Sequence, residues 1–191
     1  MSRNRLEAFS DGVVAILITI MVLELRPPHD PGLAALRSLL PVFLSYLLSF
    51  VLIGIYWNNH HHLLHTVDQV NGRILWANLH LLFWLSLVPF VTAWMGENGA
   101  AALPVALYGV VMVMSAVAYT TLQATIIASQ GPHSKLRAAV REDFKGKVSL
   151  LCYVSAVPLA FVDQRISIAL YVLVALMWLA PDPRIEKRVV E

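Results

Sequence analysis

Cysteine is nearly absent: Cys152 is the single one in 191 residues, which excludes an intramolecular disulfide and any cysteine-cluster metal or iron–sulfur site. Charge is scarce as well, 14% of residues against about 25% in a typical soluble domain. The 14 basic and 12 acidic side chains nearly cancel to a formal net charge of +2, so no global basic field exists to hold nucleic acid. There is no Gly-rich phosphate loop, no Gly-x-Ser-x-Gly elbow and no Ser, His and Asp order that repeats a hydrolase. Nothing therefore supports an enzyme or a cofactor site. A Thr-Val-Gly-Tyr-Gly loop is also missing, which removes the usual carbonyl-lined filter.

What the chain has in excess is apolar length, with 58% hydrophobic residues gathered into long blocks. A bilayer crossing takes about 20 such residues as a helix. Blocks bounded by charge, Pro or Gly run over Leu6–Leu25, Pro41–Trp57, Ile74–Met95, Leu103–Ala128, Val148–Val162 and Ile166–Ala180. They predict an all-α membrane protein with six transmembrane helices. The last two blocks are short and are split by Asp163-Gln164-Arg165, so they read as a tight helical hairpin. Residues 1–181 form one transmembrane unit and residues 182–191 a short tail, with no soluble domain and no internal repeat.

Positive residues tend to stay on the cytoplasmic side of short loops. Eleven Lys and Arg, including Arg3, Arg5, Arg73, Lys145 and Lys147, fall on one side of this topology, and only Arg26, Arg37 and Arg165 on the other. Both termini are thus expected in the cytoplasm. The start resembles a secretory signal in outline, but Asp11 interrupts its apolar core and Glu24-Leu25-Arg26-Pro27-Pro28 follows in place of a small-x-small site. The first helix is expected to be retained.

Polar groups inside spans are costly and so mark a function or a partner. In the first span these are Ser10, Asp11 and Thr19, with Glu24 as an interface residue at its end. Ile16, Ile20 and Leu23 lie at i, i+4 and i+7, a stripe about 10 Å long with Thr19 beside it and Asp11 behind. Spacing alone describes packing of branched residues more plainly than a pore. The second span ends in Tyr56-Trp57-Asn58-Asn59-His60-His61-His62-Leu63-Leu64-His65. His61 and His65 share a helical face that holds zinc if a carboxylate such as Asp68 joins them. Without Cys, a His-Glu-x-x-His arrangement or opposing carboxylates, no metal is assigned. The imidazoles are expected instead to hydrogen-bond Asp11 and Ser10 across helices.

The run Arg5-Leu6-Glu7-Ala8-Phe9-Ser10-Asp11-Gly12-Val13-Val14-Ala15-Ile16, continuing through Thr19 to Leu23-Glu24, resembles the Arg-x-x-x-Phe-Ser-Asp signature of the transmembrane protein 175 family of potassium channels. Tyr56-Trp57-Asn58-Asn59-His60-His61 resembles the family's Trp-x-Asn-His-His segment, and Asn78 with Leu87-Val88-Pro89-Phe90-Val91-Thr92 its third helix. The likeness is close in the first half and rests on the pattern of spans in the second. His62 stands where the family often has Arg or another residue, and the loop from Ser129 to Lys147 is rather basic.

The resemblance implies a bacterial single-repeat member in the inner membrane, a homotetramer whose four first helices surround a pore in the lipid bilayer. Potassium would be the permeant ion, with no cofactor. Ile16 would form the narrow hydrophobic ring, with Ile20 and Leu23 as rings above it. Thr19 would belong to the hydroxyl layer tied to cation preference. Arg5, Phe9, Ser10 and Asp11 would pack the helix against Trp57, Asn59, His60 and His61 as a structural network. Apolar rings close such a pore by dewetting. Two rivals stand beside this reading: a proton-conducting channel or ion-coupled transporter relaying through Asp11 and His60–His62, and a structural membrane protein without transport. A relay predicts that Asp11→Asn stops transport in folded protein, whereas a packing role predicts impaired assembly.

Overall fold

The computed structural model describes residues 2–67, 69–131, 136 and 144–179. Asp68, Ala180, most of the basic loop between residues 129 and 147, and the tail 182–191 lie outside them. Among the described residues every regular element is helical: α1 (Arg3–Leu23), α2 (Leu33–Ser38), α3 (Leu40–His65), α4 (Gly72–Ser86), α5 (Val88–Glu97), α6 (Ala102–Gln130), α7 (Phe144–Leu159) and α8 (Gln164–Leu179).

Among the described residues four segments are long and apolar enough to cross a bilayer: α1, α3, α4 with α5 as Gly72–Glu97, and α6. The third is broken at Leu87 because Pro89 has no N–H to donate and its ring crowds the carbonyl one turn back. The helix restarts at once, with Pro89 in its first turn, where a missing N–H costs little. Asn71 starts α4 by accepting a hydrogen bond from the Ile74 backbone N–H at 3.0 Å. Gly99 and Ala100 turn the chain from α5 into α6 at φ of 58° and 59°. α7 and α8 form the expected hairpin, where the Asp163 carboxylate accepts the Arg165 N–H at 2.9 Å. The short α2 lies between the first two apolar blocks, and it buries none of its residues.

α6 is the central post, packed by α4, α5, α7 and α8, while α1 lies against α3, α4 and α5. Leu6, Val14, Leu17 and Met21 turn the inner side of α1 into a core with Leu52, Ile53, Leu81, Leu85, Val91 and Met95. In apolar surroundings helices are drawn together by close packing and by polar groups that find partners. Gly96 permits one such approach, since a Cβ there would sit 2.8 Å from the Val42 Cα. Ser49, Thr92 and Tyr108 meet in a buried hydroxyl cluster, at 2.7 Å and 3.1 Å from the Ser49 Oγ. The Tyr171 hydroxyl donates to the Val105 carbonyl at 3.0 Å, in space left open by Gly109.

Candidate functional site

The site is built on the two sides of α1. Its inner side carries Glu7, Ser10 and Asp11 within the first two and a half turns, so Glu7 and Asp11 meet α3 while Ser10 meets α4. Ser10 is fully buried; its hydroxyl donates to the Leu6 carbonyl at 2.9 Å and accepts from the Asn78 amide at 3.0 Å. The Asn78 carbonyl oxygen in turn takes a 2.7 Å bond from His60 Nε2. The donors run one way, from His60 through Asn78 and Ser10 to the backbone, and each of these buried bonds has both its partners. Asp11 receives the Trp57 indole N–H at 2.9 Å.

The histidines are placed differently from the expectation that they bond Asp11 and Ser10. His60 reaches Ser10 only through Asn78, because the ring sits one helix away and the amide spans the gap. His61 Nδ1 lies 2.9 Å and His65 Nε2 3.5 Å from one oxygen of Glu7, since residues four apart on α3 present to the same turn of α1. Arg3 donates to the His65 carbonyl at 3.4 Å, and the His61 ring stacks at 30° on Trp57. Asn59 makes different contacts: its side-chain amide donates to the Ile55 carbonyl at 2.9 Å, and its backbone carbonyl accepts the Tyr119 hydroxyl at 3.1 Å, tying α3 to α6.

Glu7 is the residue the sequence reading missed, although it stands one turn before Asp11 on the same face. With His61 and His65 it forms the group among the described residues whose ligand atoms lie within metal-binding reach of one another. Asp68, the carboxylate considered for that role, is outside the described residues.

The outer side of α1 is apolar and exposed among the described residues. Ile16 is 56% exposed, Ile20 44% and Leu23 74%, and Phe9 is 51% exposed one turn below Gly12, with Arg5 exposed further down. Thr19 is exposed on this side, and its hydroxyl donates to the Ala15 and Ile16 carbonyls, both at 3.0 Å. With the proton turned to the backbone, the oxygen lone pairs point away from the helix. The side chain can therefore receive a cation but has no proton left to offer an anion.

The family model of the endosomal/lysosomal potassium channel TMEM175 matches residues 5–89. A potassium channel of Chryseobacterium sp. is 55% identical over 191 residues, the whole of both chains. The human endosomal/lysosomal proton channel TMEM175 is 35% identical over 96 residues, 44% of this chain and 19% of that one. The fold is similar to the crystal structure of a lysosomal potassium-selective channel TMEM175 homolog from Chamaesiphon minutus, with a TM-score of 0.81 and 27% identity over 92% of this chain and 95% of that one.

Proposed function

The chain belongs to the TMEM175 family of ion channels, and from that premise we propose that it is a potassium-preferring cation channel whose pore is lined by α1. One observation carries this reading: the apolar stripe of Ile16, Ile20 and Leu23, with Thr19 beside it, is exposed among the described residues. Four copies with these stripes turned inward would bury them around a central axis. The named activities of the Chryseobacterium and Chamaesiphon relatives support potassium as the permeant ion.

In this arrangement residues 1–181 are one channel repeat and 182–191 a tail. α7 and α8, each about 24 Å long at 1.5 Å per residue, serve as the fifth and sixth spans of a multi-pass protein of the bacterial inner membrane. The Lys and Arg distribution favours both termini inside.

Closure follows from the side chains. A ring of four Ile16 side chains offers no replacement for the hydration shell of an ion, and a narrow apolar constriction dewets. Ile20 and Leu23 repeat the ring above it. Opening requires the α1 helices to rotate or splay, which brings the Thr19 oxygens toward the ion path. Their preference for potassium is weaker than that of a carbonyl filter, since one hydroxyl layer replaces only part of the hydration shell. The Ser10, Asp11, Trp57, Asn78 and His60 bonds anchor the inner end of α1 and coordinate no ion.

The rival proton relay is suggested by the name of the human relative. Both readings are tested by the reversal potential of purified protein in planar bilayers, with potassium facing sodium, at two pH values. The expected reversal shifts toward the potassium potential and ignores pH; a reversal that follows the proton gradient refutes it. Ile16→Asn is expected to raise or reshape the cation current, and an unchanged current refutes Ile16 as the constriction.

A further inference from the structure

We propose that Glu7, His61 and His65 form a binding site for a divalent transition-metal ion of the zinc class, which clasps the start of α1 to the end of α3. The three potential ligand atoms lie within 4.8 Å of one another. The carboxylate oxygen of Glu7 is 2.9 Å from His61 Nδ1 and 3.5 Å from His65 Nε2. A tetrahedral ion with bonds of about 2.0–2.2 Å sets neighbouring ligands about 3.3–3.5 Å apart, so both distances bracket what such an ion requires. Two imidazoles and one carboxylate also match the chemistry of a borderline ion. A hard cation such as magnesium prefers an all-oxygen set that keeps its waters.

The surroundings favour a site that is held in place and reachable. Glu7 is mostly enclosed, at 16% side-chain exposure, while His61 and His65 are open at 39% and 45%. An ion can enter from the water at the helix ends and finds the carboxylate already positioned. Arg3 fixes the last turn of α3 through the His65 carbonyl, and the Trp57 ring backs His61. Three protein ligands leave one position for water.

Glu7 and His61 flank the Asp11–Trp57 bond, so a bound ion adds a second tie at the same end of α1. Resting on the reading of α1 as the pore helix, the ion acts as a brake on the splaying of α1. Binding itself is measured without any current, so it stands or falls separately from the pore.

The test uses the full-length channel in detergent, with any affinity tag removed and metal stripped by chelator, titrated with zinc by calorimetry and with cobalt by visible absorption. One saturable zinc ion per chain is expected, unmoved by millimolar magnesium. Glu7→Gln and His65→Asn are each expected to weaken it by more than about tenfold, since even groups one layer removed from a metal are worth 10–100-fold. His65 stands at an exposed helix end, so His65→Asn carries the test if Glu7→Gln fails to give monodisperse protein. No saturable zinc in the unmodified protein, full affinity in a folded variant, or equal competition by magnesium would overturn the site.

Discussion

Replacing Asn78 with leucine isolates what holds α1 to its neighbours. Asn78 is fully buried, and leucine keeps its branched outline with bulkier methyl ends, so no cavity is created and the lost polar bonds come with some added crowding. Two go: the 2.7 Å bond to His60 and the 3.0 Å bond to Ser10. Ser10 keeps its 2.9 Å bond to Leu6, so its loss is limited to about 0.6 kcal/mol, the average for an interhelical bond in a membrane protein. His60, 5% exposed, is left without a partner for its Nε2 hydrogen, which costs about 1–3 kcal/mol. The expected destabilisation is therefore about 2–4 kcal/mol, read as a shift in reversible unfolding in mixed detergent micelles. Ser10→Ala alone leaves the buried Asn78 amide hydrogen unpaired and should cost about 1–3 kcal/mol, and its cycle with Asn78→Leu should show a coupling of about 0.6–1.7 kcal/mol. A cost below about 0.5 kcal/mol for Asn78→Leu, or strict additivity in the cycle, refutes the bridge.

Two further outcomes follow from single contacts. Gly109→Ala forces a methyl onto the Tyr171 hydroxyl and breaks its bond to Val105; a loss of about 1–3 kcal/mol is expected, and Tyr171→Phe in the same chain should recover part of it, as melting of the double variant would show. Asp11→Asn turns a charge-assisted indole bond into a neutral one and weakens it by about 1 kcal/mol, so the assembled fraction on size-exclusion chromatography should fall while the pH profile of any remaining current stays flat.

Much of this was legible before any coordinates, because hydropathy reports the membrane and the membrane leaves helices as the economical way to satisfy the backbone. The block Leu103–Ala128 appears as α6 over Ala102–Gln130, and Leu6–Leu25 as α1 over Arg3–Leu23. The second apolar block ends at Trp57 while α3 runs to His65, since apolarity marks where a helix leaves the bilayer and not where its hydrogen bonding ends. Pro89 was visible, but its interruption at Leu87 depends on how the carbonyl one turn back is accommodated. The stripe of Ile16, Ile20 and Leu23 was readable as one face of a helix; that this face is exposed depends on where Leu6, Ser10, Val14, Leu17 and Met21 find partners. The role of Glu7 is not legible in the sequence because its two histidines lie more than fifty residues away, and only the crossing of α1 and α3 brings them to it.

The claim that α1 lines the pore is tested most directly by cysteine accessibility in a Cys152→Ser background, which removes the chain's only native thiol. Leu23→Cys stands on the exposed stripe at 74% exposure, and Val14→Cys on the packed side at 5%. A membrane-impermeant cationic thiol reagent, applied to the outer face of channels in a planar bilayer, is predicted to suppress potassium current through Leu23→Cys and to leave Val14→Cys unaffected. Current through Leu23→Cys that persists after the thiol is shown to be modified would place the conduction path elsewhere.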